Sequence, residues 1–182
     1  MNIVLAPDPL LRQVAEPVDP GDKTIAKLAK QMAKEMYKDE GVGLAAPQVG
    51  VLKRLIVIDC DVEAEKRNPI VLINPEIVDH GEETWVSGEG CLSVPGITVD
   101  IERWQNVTVQ YSDLNGERWE IEAGPDLLGR CLQHEIDHLN GMTMFERLDV
   151  TERIKALQEY KEALAAGARP GETQSRAVNT NV

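Results

Sequence analysis

The sequence of 182 residues predicts one domain that mixes helices with β-strands. Three observations carry that expectation. Short apolar runs at 55–58 and 70–73, and two alternating segments around Asn115-Gly116, have the pattern of strands and a hairpin. A segment at about 126–139 is apolar on several sides, as a buried helix is. Segments before and after it carry apolar residues at helical spacing along one face.

Taken in order, residues 1–20 hold four prolines and little periodicity, which reads as an extended arm. Asp22 or Thr24 can cap a first helix. Within it Ile25, Leu28, Ala29, Met32, Ala33 and Met36 share a face, and Gly41 is the expected stop. Residues 41–50 are rich in small side chains and read as a loop. The strands at 55–58 and 70–73 are separated by a charged loop ending in Asn-Pro. Gly88 to Gly96 reads as a glycine-rich loop. In the hairpin of 107–112 and 117–122, Val107, Val109 and Tyr111 alternate with polar residues, as do Trp119 and Ile121. The buried helix follows, with Leu127, Leu128, Cys131, Leu132, Ile136 and Leu139. Thr151 is the expected cap of a last helix that Gly167 ends. The domain is therefore expected over 1–165, with 166–182 a disordered tail.

Composition narrows the function. The formal net charge of −12 argues against direct nucleic-acid binding, which needs clustered Lys and Arg. No run is long enough to span a membrane. The N-terminus has neither a basic n-region nor a long apolar stretch, and the three cysteines are few and odd in number. Both point to a cytoplasmic protein without a disulfide framework.

The strongest chemical signal is His134-Glu135-Ile136-Asp137-His138 on the buried helix. Histidines four apart lie one turn apart on one face, so both imidazoles can reach one ion. Glu135 between them can lean over a water at that ion, as in metal hydrolases. Leu127, Cys131, His134 and His138 continue a single stripe. Two core histidines with a paired Glu would be the non-metal reading, but buried polar groups are costly unless satisfied, and a metal satisfies them. Two histidines leave a catalytic site short of a third protein ligand. Cys60, Cys91, Cys131, His80 and several carboxylates are candidates, and spacing puts Cys91 only modestly ahead. Its neighbours Gly88, Gly90 and Gly96 let backbone approach a site closely.

Three segments together carry a family resemblance. Gly41-Val42-Gly43-Leu44-Ala45-Ala46-Pro47-Gln48, Glu89-Gly90-Cys91-Leu92-Ser93 and Gln133-His134-Glu135-Ile136-Asp137-His138-Leu139-Asn140-Gly141 resemble the three motifs of the peptide deformylases, in their order and at about their spacing. The resemblance spans roughly residues 1–165. It implies an α+β fold with antiparallel β-sheets packed around a central metal-binding α-helix, flanked by an N-terminal and a C-terminal helix. It implies Cys91 as the third ligand beside His134 and His138. One divalent ion is expected, Fe2+ in the cell, with Zn2+ or Ni2+ in purified protein. The implied reaction removes the N-formyl group from the formyl-methionine that begins new polypeptides and releases formate. A metal-activated water attacks, with Glu135 as general base, and the Gln48 side-chain amide and the Leu92 backbone N–H steady the oxyanion. Gly43 is expected beside the substrate backbone, with Val42, Leu127 and Cys131 lining the methionine pocket. Glu89 and Arg103 are expected to pair and brace the cysteine segment. Arg130 departs from the apolar residue that many relatives carry.

Partners follow from the same reading. N-formyl-methionyl nascent polypeptides are the substrates, and no membrane contact is expected. Some relatives dock at the ribosome through a basic C-terminal helix. Here Arg153, Lys155 and Lys161 stand against Glu152, Glu159 and Glu162, so support for docking is weak. Two other functions fit the His-Glu-x-x-His motif less well. A zinc endopeptidase usually takes a His or carboxylate as third ligand. A structural metal site is usually closed by four protein ligands.

Overall fold

The structure, a computed structural model, describes residues 1–172. The chain forms helix α1 (Lys23–Lys38), strands β1 (Gly43–Ala45), β2 (Leu55–Ile58), β3 (Ile70–His80), β4 (Thr84–Cys91), β5 (Val94–Trp104), β6 (Val107–Ser112) and β7 (Arg118–Ala123), then helices α2 (Leu127–Leu139) and α3 (Val150–Ala165). Five strands form an antiparallel sheet in the order β1-β2-β3-β6-β7, and β4 and β5 form a separate hairpin. The fold is α+β, as expected.

The large sheet is covered on both faces. Ile56, Ile58, Leu72, Val107 and Val109 pack with Cys131, Leu132, Ile136 and Leu139 of α2. Leu55, Val57 and Ile73 pack on the other face with Ile25, Met32 and Met36 of α1. Double coverage explains why β2 is an unbroken apolar run: its alternating side chains enter two different cores. Burying such a side chain contributes roughly 1.5–3 kcal/mol. A third core holds α3 against β5 through Val94, Ile97, Ile101, Ala156 and Tyr160.

Several boundaries differ from the sequence expectation, each for a local reason. Asp22 caps α1 by accepting the Thr24 amide at 2.8 Å. The helix closes through Glu40, whose φ of 55° is left-handed, with the Gly41 N–H bonded to the Met36 carbonyl at 2.8 Å. The small-residue segment after it is β1 plus a 3-10 turn, Ala46–Val49, rather than a loop. The arm at 1–20 includes a 3-10 turn, Pro9–Arg12, capped by Asp8. Strand β3 runs seven residues past Ile73 to His80. Asp149, not Thr151, caps α3, accepting the Glu152 amide at 2.8 Å.

The largest difference lies at 84–104. The glycine-rich loop is the end of β4 and the turn into β5. Alternation of Ile97, Val99, Ile101 and Arg103 with exposed residues was the overlooked strand signal. The ladder is regular from Thr84–Trp104 to Glu89–Val99 and then shifts register before the Cys91–Val94 pair. Such an irregularity re-aims side chains. Of the expected tail, residues 166–172 are described and hydrogen-bonded to the body, and 173–182 lie outside the described residues. No helix among the described residues is long and apolar enough to cross a membrane.

Candidate metal centre

Helix α2 supplies two of the donors because its sequence buries it on every side. Asp126 caps its start by accepting the Gly129 amide at 2.8 Å, and residues 129–139 are all buried. His134 and His138 therefore project from one face into the interior, their ring centroids 5.0 Å apart. The β4–β5 turn brings Cys91 to them. Its Sγ lies 3.3 Å from His138 Nε2. The donor atoms of Cys91, His134 and His138 all fall within 4.8 Å of one another, the only such group among the described residues.

Glu89 orients the cluster. Its carboxylate accepts two bonds from Arg103, both 2.9 Å, one from Arg130 at 2.6 Å, and lies 2.9 Å from His134 Nδ1. A proton on Nδ1 satisfies that contact and leaves the Nε2 lone pair of His134 for a metal. Arg103 also reaches Asp137 at 2.6 Å, and Asp137 in turn holds Arg147. Although burial opposes ionisation, Arg103 and His134 hold the Glu89 carboxyl well below the usual carboxylate range. This buried network joins the cysteine-bearing hairpin to α2.

The site's electrostatics fit a cation. Burial lowers the His138 pKa and keeps its imidazole neutral, the metal-binding form. Burial disfavours the His134 cation too, but the Cys91 sulfur and the Glu89 carboxylate outweigh it and push that pKa up. The cluster therefore gathers negative character that a divalent ion would offset. One sulfur and two imidazoles form a donor set that suits Fe, Ni or Zn. His138 Nδ1 and Glu135 Oε2 are buried with no partner among the described residues, a condition that marks a site needing further polar atoms.

Glu135 sits beside the donors, its carboxyl pushed up to about 7 chiefly by burial. Strand β1 passes so close that a Cβ on Gly43 would lie 2.6 Å from both Glu135 Oε1 and Cys131 Sγ. Gln48, on the 3-10 turn after β1, is locked by its Oε1 accepting the Ala45 amide at 2.8 Å. Its Nε2 then faces Ser93 Oγ at 3.2 Å and Cys91 Sγ at 3.6 Å. A cavity of about 240 Å³ opens over these groups, lined by Val42, Gly43, Gln48, Leu92, Leu127 and Cys131 beside Cys91, His134 and Glu135.

A model described as polypeptide deformylase matches residues 1–154. The chain belongs to the polypeptide deformylase family. A peptide deformylase of Rhizobium meliloti is 44% identical over 168 residues, covering 92% of this chain and 96% of that one. The crystal structure of peptide deformylase from Ehrlichia chaffeensis superimposes with a TM-score of 0.82 at 40% identity, over 91% of this chain and 97% of that one. A Synechococcus elongatus peptide deformylase in complex with actinonin gives 0.83 at 42%, over 93% and 92%.

The expected site residues thus gather around one cavity. The other third-ligand candidates fall away. His80 stacks on Trp104 with centroids 3.8 Å apart, and the Cys60 and Cys131 sulfurs face the Val42 carbonyl at 3.9 and 3.7 Å. The Glu89–Arg103 pair forms as expected. Sequence reading missed Ser93, Asp137 and Arg147, and it noted Arg130 only as a departure from the apolar residue of many relatives, without its partner. Arg130 is buried, ion-paired to Glu89 and stacked 4.4 Å over Trp85. The available signal was the charge itself: Arg130 and Asp137 on an otherwise buried helix require opposite charges nearby.

Proposed function

We propose that this chain hydrolyses the N-formyl group of formyl-methionyl nascent polypeptides, with Cys91, His134 and His138 holding one divalent ion and Glu135 as general base. The observation that carries the proposal is the three-donor cluster with a buried carboxylate beside it, one oxygen of which has no partner among the described residues, at a cavity. Held by Cys91, His134 and His138, a divalent ion would supply Lewis-acid chemistry, polarising the formyl oxygen and lowering the pKa of a water. Glu135 takes the proton of the attacking water and returns it to the departing amine. The fixed Gln48 amide and the Leu92 backbone N–H donate to the oxyanion. The Gly43 backbone aligns the substrate, while Val42, Leu127 and Cys131 receive the methionine side chain. The domain is 1–165.

One structural feature and one assay outcome separate this reading from its rivals. A structural metal site would be closed by four protein ligands, and only three converge among the described residues. A peptidase would cut internal bonds. The ion is Fe2+ in the cell, and Zn2+ or Ni2+ can replace it in purified protein, because sulfur and imidazole accept all three. The compartment is the cytoplasm. Helix α3 offers balanced charge rather than a basic face, so ribosome docking gains little support. The test is formate release from a formyl-Met-Ala-Ser peptide by anaerobically prepared, iron-loaded protein. Rapid release with the Met-Ala-Ser product intact is expected. A folded, metal-loaded sample that releases no formate, or cuts internal bonds, contradicts the proposal.

A further inference from the structure

Residues 168–172 return from the end of α3 to the cavity. The Ala168 N–H bonds the Ala163 carbonyl at 3.0 Å, and the Gly96 N–H bonds the Glu172 carbonyl at 2.9 Å. Within the segment the Glu172 N–H donates to the Arg169 carbonyl at 3.0 Å, and Glu172 Oε2 accepts the Arg169 N–H at 2.8 Å. Two glycines make the docking possible. Gly171 has φ of 86°, and a Cβ there would stand 2.3 Å from the Asp39 carbonyl oxygen. A Cβ on Gly96 would stand 2.7 Å from both Ala163 and Ala168. The segment is therefore a strap pinned at both ends, against α3 and β5 on one side and the chain after α1 on the other.

The strap borders the reaction site. Gly171 and Glu172 line the same cavity as Cys91 and Glu135. They also line a second cavity of about 580 Å³, with Ile3, Leu5, Glu35 and Arg169. Asp39, Glu40, Gly171 and Glu172 are common to both cavities and form the divide between them. A polypeptide whose first residue enters the smaller cavity must leave it across a wall, and its later residues need a surface to lie on.

We propose that the strap 168–172 is a substrate-binding lip that contacts the peptide beyond its second residue. The contact strengthens binding of extended formyl-methionyl chains without touching the reacting atoms. Short substrates end before they reach it. The proposal rests on the deformylase reading, which short substrates report on their own.

The test compares formyl-Met-Ala with a formyl-Met pentapeptide, using full-length wild type, Gly171→Val and Glu172→Pro. Valine at 171 meets both the left-handed backbone and the Asp39 carbonyl. Proline at 172 removes the N–H that closes the strap's own turn. In both variants KM for the pentapeptide is expected to rise about five- to tenfold, with kcat and all constants for formyl-Met-Ala within about twofold. Equal losses on both substrates would make the strap a structural brace and overturn the proposal. So would unchanged pentapeptide kinetics, or a lower KM, which would mark the strap as an obstruction. Wild type silent on formyl-Met-Ala would instead overturn the deformylase reading beneath it.

Discussion

Glu89 is the residue on which the site's polar side chains converge. One carboxylate ties Arg103 and Arg130 to His134, and Arg103 extends the tie to Asp137. Removing one partner of such a buried set leaves charge uncompensated, which costs about 3–5 kcal/mol. Arg103→Leu is therefore expected to destabilise the fold by about 3 kcal/mol, the low end, because Arg130 and Arg147 still reach Glu89 and Asp137. Urea unfolding of the metal-loaded protein measures this, and a change below about 1 kcal/mol would show that the network is not a stabilising tie. At this scale the helical ligands were legible because histidines four apart are a local pattern. Arg130 and Glu89 are 41 positions apart, and no local period records such a pairing.

At the scale of elements, the proposed reaction depends on how closely β1 lies against α2. Gly43 is the contact point, since any Cβ there meets Glu135 and Cys131 at 2.6 Å. Gly43→Ala must push Glu135 or the strand aside. Displacing a catalytic group by about 1 Å can cost about a hundredfold, so kcat/KM is expected to fall roughly that far while the metal stays bound. Steady-state kinetics with a metal assay checks this, and unchanged kcat/KM would show that the approach of β1 is not needed. Elements with a clear period, α1, β2, the β6–β7 hairpin and α2, were readable in the sequence. The β4–β5 hairpin was not, because its glycines look like loop residues while serving a turn that delivers Cys91. The expected cap Thr151 gave way to Asp149, two residues earlier, a shift that cap propensity does not distinguish.

For the whole molecule, two cores on opposite faces of one sheet fix α1 and α2, and a third fixes the β4–β5 hairpin through α3. The metal centre lies where α2, the β4–β5 turn and the turn after β1 meet, with two donors from α2 and one from the β4–β5 turn. Only the His-Glu-x-x-His motif could be derived from spacing. Cys91 and Gln48 are distant in sequence and became legible through the resemblance of their surrounding segments. The measurement that tests the account most directly is metal content and formate release on the same samples of wild type and Glu135→Gln. Glu135 is placed beside the three donors but outside their number. One divalent ion per chain is expected in both proteins, with formate release reduced at least about a hundredfold in the variant. Loss of the ion from Glu135→Gln, or full activity without the carboxylate, would contradict the account.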